Sequence, residues 1–130
     1  MDYMKNFATC LNCIDGRAQL PVINWIIETH GYDYVDLITE PGIIKLLAEN
    51  EKITPDFLDK IQISIEKHNS DHLFLVAHYD CAGNPVSDHI QKKQIYMAVD
   101  KLKDKVRGVT ITGLWVNDDW RVEEVVHSNS

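Results

Sequence analysis

Short runs of consecutive apolar residues alternate along the chain with segments whose apolar residues recur every three or four positions. Consecutive apolar residues favour buried strands, whereas recurrence every three or four positions favours helices that bury one face. The pattern predicts strands at residues 7–13, 34–39, 72–78, 109–116 and 121–126, the first ending at Cys13 or Ile14. It predicts helices at residues 17–30, 43–49, 55–69 and 88–107.

The three longer helices have recognisable starts and apolar faces. Thr54 followed by Pro55 is typical of a helix start, Ser87 can cap the last helix, and Pro21 is acceptable in a first turn. The predicted apolar faces are Leu20, Ile23 and Ile27 in the first helix, Leu58, Ile61 and Ile65 in the third, and Ile95, Val99, Leu102 and Val106 in the last. We expect these faces to contact the sheet.

The order of these elements indicates the fold class. Strands separated by helices pair in parallel, whereas the last two strands, joined by the turn 117–120, form an antiparallel hairpin. The sequence therefore predicts an α/β fold with a mostly parallel central sheet, one antiparallel edge strand and helices on the faces. We expect one domain over residues 1–130, with a frayed end at 127–130.

Composition and charge exclude several kinds of partner. The net charge of −7 argues against nucleic acid or an anionic membrane, because both require a basic surface. The apolar runs are too short to cross a bilayer, and residues 1–6 have no apolar core for export. Three cysteines in such a chain indicate metal-binding or catalytic thiols in a reducing cytoplasm. A small-molecule substrate fits these constraints.

Cys13 and His78 lie at the carboxyl ends of two predicted strands, and Cys81 follows three residues after His78. If both strands lie in one parallel sheet, their carboxyl ends share the edge at which open α/β folds bind ligands. Two thiols and an imidazole suit a divalent metal, and three protein ligands leave tetrahedral zinc one open position, which is the catalytic pattern. Each residue taken alone is more often an ordinary core or hydrogen-bonded side chain.

Two further residues extend the first cluster. Asp15 can accept a hydrogen bond from a water at the open metal position, and Arg17 can keep that carboxylate ionised through a bidentate pair. The same residues are also compatible with an Asp15–Arg17 salt bridge that only caps the first helix. Cys10, three residues before Cys13, should point to the opposite strand face as a core thiol, although a redox pair with Cys13 is an alternative.

The motifs Cys13-x-Asp15-x-Arg17 and His78-x-x-Cys81 resemble the zinc signature of the β-class carbonic anhydrases in order and spacing. The resemblance implies Zn²⁺ held by the two cysteines and the histidine, with a catalytic Asp15–Arg17 dyad that orients a zinc-bound hydroxide. It implies hydration of carbon dioxide to bicarbonate and a homodimer as the smallest assembly. Related members of the superfamily hydrolyse carbonyl sulfide or carbon disulfide.

The chain also differs from the family pattern. Members usually carry a helical arm before the first metal cysteine, an Arg-Asn stretch where this chain has Thr39-Glu40-Pro41-Gly42, and glycine immediately after the second metal cysteine, where this chain has Ala82-Gly83. A zinc-binding module without hydratase activity, in which Asp15 or another group takes the fourth metal position, is therefore the main alternative to an enzyme.

Overall fold

The structure, a computed structural model, describes residues 5–49 and 53–129. The strands are β1 (Phe7–Asn12), β2 (Tyr34–Thr39), β3 (His72–His78), β4 (Thr110–Val116) and β5 (Val122–Asn129). The helices are α1 (Gly16–His30), α2 (Ile43–Ala48), α3 (Pro55–Lys67) and α4 (Asp88–Leu102). None of the helices formed by the described residues is long and apolar enough to cross a membrane.

The five strands form one sheet in the order β2-β1-β3-β4-β5. β1 is parallel to β2 and β3, and β3 is parallel to β4, whereas β5 runs antiparallel to β4 at one edge. This arrangement confirms the predicted α/β fold, with its mostly parallel sheet and one antiparallel edge strand. Because β1 and β3 are parallel neighbours, their carboxyl ends lie side by side at one edge of the sheet.

Helices cover both faces of this sheet. Leu73 and Leu75 of β3 pack into a core cluster with residues of α2, α3 and α4, whereas Phe74 and Val76 pack into a second cluster with residues of α1. Alternate residues of a strand point to opposite faces, so β3 is buried along its whole length. Cys10 belongs to the second cluster, which confirms that it is a core thiol.

The predicted apolar face of α1 is wrong. The residues of α1 that are buried are Ala18, Val22 and Ile26, whereas Leu20 is 63% exposed and Ile27 is 36% exposed. Both faces of this helix are apolar, so spacing alone cannot tell which one contacts the sheet. α1 also begins at Gly16, and this places Pro21 in the second turn rather than the first.

Several other predicted boundaries also differ from the structure. β1 ends at Asn12, so Cys13 lies in the loop that follows it. α4 ends at Leu102 rather than at Gly108, and Val106 is buried beyond the helix end. Residues 127–129, expected to be frayed, continue β5 because they pair with the start of β4, while Ser130 lies outside the described residues.

Candidate metal centre

Three candidate metal ligands meet where β1 and β3 end. Cys13 follows β1, His78 is the last residue of β3, and Cys81 lies in the loop after β3. One ligand atom from each side chain lies within 4.8 Å of the others, and all three residues are buried. The structure therefore brings together the three residues that the sequence singles out as a metal site.

The geometry of the group fits a tetrahedral zinc site. The two sulfurs lie 3.8 Å apart, and two sulfurs bound to zinc at ~2.3 Å in a tetrahedron lie about 3.8 Å apart. His78 Nδ1 lies 2.7 Å from the carbonyl oxygen of Tyr79, which can only accept, so Nδ1 carries the proton. In the neutral imidazole the lone pair is therefore on Nε2, which is buried and has no hydrogen-bond partner among the described residues.

The protonation of these three side chains is coupled. The hydrogen bond from Cys81 lowers the pKa of Cys13 despite its burial, and the same contact raises the pKa of Cys81. Burial disfavours the imidazolium of His78, but contact with Cys13 and the bond to the Tyr79 carbonyl outweigh burial and raise the pKa of His78. Both sulfurs are therefore thiolates together only when a cation replaces the protons between them.

The Asp15 carboxylate lies beside this group. Asp15 is the N-cap of α1 and accepts a hydrogen bond from the Arg17 backbone N–H at 3.0 Å. The Arg17 guanidinium donates to both carboxylate oxygens, at 3.1 Å from Nε and 2.7 Å from a terminal nitrogen. These contacts with Arg17 lower the pKa of Asp15 to about 2. Asp15 Oδ2 lies 3.9 Å from His78 Nε2.

The sequence model of a family described as "Putative carbonic anhydrase" matches residues 3–126 of the chain. The chain belongs to this carbonic anhydrase family. A search of curated protein sequences finds no significant match.

Solved structures agree with this family in fold. The β-carbonic anhydrase isoform I of Trichomonas vaginalis is 14% identical, with a TM-score of 0.64 over 91% of this chain and 81% of that chain. A carbonic anhydrase of Streptococcus mutans is 16% identical, with a TM-score of 0.63 over 95% and 84% of the two chains. An apo carbon disulfide hydrolase is 12% identical, with a TM-score of 0.64 over 93% and 79%.

Two buried amide side chains support the segments that carry the candidate metal ligands in this carbonic anhydrase family member. Neither is predicted from the sequence as a site residue. Asn12 accepts a hydrogen bond from the Cys13 N–H at 2.7 Å and donates to the Ala18 carbonyl at 3.1 Å, so it fixes the loop between β1 and α1. Gln91 on α4 donates to the His78 carbonyl at 2.9 Å. Gln91 lies four residues before Ile95, on the same face of α4 as the apolar stripe. A polar residue at such a position is the sequence signal that could have indicated a buried amide.

Two glycines bring a second loop against the metal centre. The Gly42 N–H points at Cys13 Sγ, 3.5 Å away, where it stabilises a thiolate. A Cβ at Gly42 would lie 2.5 Å from the Gly83 carbonyl oxygen, and a Cβ at Gly83 would lie 2.7 Å from the Gly42 nitrogen. The loop that contains Cys81 therefore packs backbone to backbone against the loop before α2, in contact that only glycine allows.

Cys10, the other candidate thiol, lies in the apolar cluster of α1 and is not part of this group. All three cysteines are free, and burial raises the pKa of Cys10, so this thiol is protonated within the apolar cluster. The disulfide between Cys10 and Cys13 that a redox protein requires is not formed.

Proposed function

We propose that the protein is a zinc-dependent carbonic anhydrase that hydrates carbon dioxide to bicarbonate. One observation carries the proposal. Two cysteine sulfurs and the unpartnered Nε2 of His78 form one buried group, and an ionised carboxylate lies 3.9 Å from that nitrogen. This donor set would hold zinc through three protein ligands, the number typical of catalytic zinc sites, and the chain belongs to a carbonic anhydrase family.

Cys13, His78 and Cys81 would hold the metal. Zinc bound there supplies the Lewis acid that makes water a nucleophile near neutral pH. Two thiolates donate more negative charge than neutral imidazoles do, and this weakens the acidifying effect, so a nearby hydrogen-bond acceptor is required. Thiolate ligands persist in a reducing compartment, and we place the protein in the cytoplasm for that reason.

Asp15 is that acceptor. With a pKa of about 2 it is ionised at neutral pH, so it can only accept hydrogen bonds. Arg17 fixes the carboxylate plane through two donated hydrogen bonds. The carboxylate lone pairs that Arg17 leaves free can accept the O–H of the attacking water and direct an oxygen lone pair toward the carbon of carbon dioxide.

The second candidate is a zinc-binding module without hydratase activity. Its support is the short distance of 3.9 Å between Asp15 Oδ2 and His78 Nε2, which lets the carboxylate reach the fourth metal position. The bidentate pair with Arg17 favours the enzyme, because the guanidinium draws negative charge from both carboxylate oxygens and makes them weaker metal ligands.

Metal analysis combined with a hydration assay tests the proposal. Protein purified with zinc is expected to contain about one ion per chain and to hydrate carbon dioxide by stopped-flow, with activity rising as pH rises. His78→Ala should lose both metal and activity, because it removes one of three ligands. Stoichiometric zinc without hydration would favour the module. Parallel assays with carbonyl sulfide and carbon disulfide would show whether either replaces carbon dioxide as substrate.

We also propose that the protein is a homodimer that uses the exposed face of α1. Leu20 and Ile27 lie on this face, and Ile14, 60% exposed, lies just before the helix. Exposed apolar side chains next to one another mark contact surfaces. Leu20→Glu is expected to convert a dimer to a monomer in sedimentation velocity, whereas Ile63→Glu, at an equally exposed position on α3, should remain dimeric. A monomeric wild-type protein at micromolar concentration would contradict this proposal.

A further inference from the structure

Three separate segments of the chain hold the Arg17 guanidinium. Besides its pair with Asp15, it donates to the Asp80 carboxylate at 3.3 Å and to the Asp80 carbonyl at 3.1 Å. Its central carbon lies 4.6 Å from the centre of the Trp120 ring. Asp80 belongs to the loop after β3 and Trp120 to the turn between β4 and β5. Arg17, whose side chain is 49% exposed, is therefore also held by contacts that the Cys-x-Asp-x-Arg motif does not contain.

Both of the added contacts come from residues with unusual backbone conformation. Among the described residues that are not glycine, Asn69, Asp80 and Trp120 have positive φ, with 58° at Asp80 and 59° at Trp120. Asparagine and aspartate tolerate this conformation, but a bulky aromatic residue rarely adopts it. Backbone strain of this kind is found where a side chain must be held at a functional site.

The turn itself explains how Trp120 is kept in that conformation. The Trp120 N–H donates to the Asn117 carbonyl at 2.9 Å, and the Asn117 N–H donates to the Arg121 carbonyl at 3.0 Å. The Asn117 side-chain oxygen accepts from the Asp119 and Arg121 N–H groups at 2.9 and 3.1 Å. These four bonds fix the backbone, so the indole direction is set by the turn rather than by Arg17.

The Trp120 indole, held in this direction, lies beside the candidate metal ligand His78. Its ring centre lies 6.2 Å from that of His78 and 6.5 Å from that of Tyr79, and the side chain packs partly buried against the apolar cluster of α1. A guanidinium against an aromatic face is attracted by the ring and loses freedom to rotate. The ring therefore limits the positions that Arg17 can take while it binds Asp15.

We propose that Trp120 is a positioning residue that acts through Arg17 to fix the Asp15 carboxylate. This inference rests on the proposed hydration reaction, because it assigns a role within the same site. The turn bonds hold Trp120, Trp120 holds the arginine, and the arginine holds the carboxylate that accepts from water. Small displacements of such a group are costly to catalysis, because the reacting atoms must be aligned.

Trp120→Asn separates a positioning role from a structural one. Asparagine relieves the strained positive φ but removes the packing of the indole against the apolar cluster of α1, so the variant is expected to melt somewhat below the wild type, to remain folded at the assay temperature and to keep its zinc. It should lower kcat/KM about tenfold, mostly through kcat, whereas Trp120→Phe should retain most activity. Trp25→Phe, which removes an indole from α1 away from Arg17, is the matched control. Full activity in Trp120→Asn would overturn the proposal.

A measurement on Arg17 itself is independent of activity. In a ¹⁵N spectrum of metal-free protein, the Arg17 Nε–H signal should be shifted upfield by the indole ring and should exchange slowly with solvent. Both properties should disappear in Trp120→Asn and persist in Trp25→Phe. An unshifted, fast-exchanging signal in the wild type would overturn the proposal even if the variant failed to fold. If the wild type did not hydrate carbon dioxide, the proposed function would fail while this signal would still report on the contact.

Discussion

Asp15→Asn is expected to lower kcat/KM for carbon dioxide hydration by about 10²- to 10³-fold while zinc remains bound. Asparagine is a good N-cap, so α1 should begin at the same residue and stability should change little. The substitution instead replaces an ionised acceptor with a neutral amide, whose NH₂ group can turn toward the water as a donor. Stopped-flow hydration and zinc content, measured on the same preparation, check the result.

Asp118→Asn supplies the control for this change. It makes the same substitution with the same change in charge, but in an exposed position of the turn between β4 and β5. We expect its kcat/KM to remain within about twofold of the wild type, because surface charges are screened at ordinary ionic strength. Wild-type turnover in Asp15→Asn would remove Asp15 from the mechanism and would leave Arg17 as a helix-capping partner only.

Gly42→Ala is expected to destabilise the protein by about 3 to 5 kcal/mol and to weaken zinc binding. Gly42 has φ of +56°, and a Cβ there would lie 2.5 Å from the Gly83 carbonyl oxygen. The added methyl group must therefore overcome both a strained conformation and a clash with backbone that cannot rotate away. Separation of the two loops would also move the Gly42 N–H away from Cys13 Sγ. Urea unfolding and competition with a zinc chelator measure the two effects.

Other glycines of the chain separate the two causes. Gly108 has a φ of +77° and no atom within 4 Å of the position that a Cβ would take, so Gly108→Ala tests the backbone strain alone and should lower the free energy of unfolding by about 1 to 2 kcal/mol. Gly83→Ala meets the clash alone and should cost about 1 to 3 kcal/mol. Gly16→Ala meets neither and should be neutral or stabilising. Equal effects at Gly42 and Gly108 would show that the loop contact is unimportant.

The grouping of Cys13, His78 and Cys81 could be predicted because it depends on local signals and one topological rule. Each residue lies at or just after the carboxyl end of a strand that the apolar pattern identifies, and parallel strands place their carboxyl ends at one sheet edge. The rule requires only that both strands be parallel members of one sheet. The structure goes further, because it makes β1 and β3 direct neighbours.

The orientation of α1 could not be predicted in the same way. Its sequence contains an apolar stripe through Leu20, Ile23 and Ile27 and another through Ala18, Val22 and Ile26. The stripe with larger side chains has the stronger hydrophobic signal, but the sheet contacts the smaller one. Small residues allow the helix to lie close to the strands, a requirement that appears only once the sheet is assembled.

Residues that support the site through contacts between elements could not be predicted from the sequence either. Trp120 reaches Arg17 only because β5 folds back along β4, and Gln91 reaches His78 only because α4 packs on β3. The facing pair Gly42 and Gly83 depends on the approach of two loops that are 41 residues apart by their numbering. Spacing rules describe one helix or strand at a time, so they do not predict contacts between elements.

Cys13 and Cys81 are 68 residues apart in the chain, yet their sulfurs are neighbours just beyond the carboxyl ends of the adjacent strands β1 and β3. A cation held by both would cross-link the two central strands and close the long stretch of chain between them. Such a cation binds only after those strands have paired, so its binding energy adds to folding: metal at 100 times its dissociation constant contributes about 2.7 kcal/mol. Metal supply would then change the fraction of this protein that is folded, and chains without metal would be the most open to proteolysis.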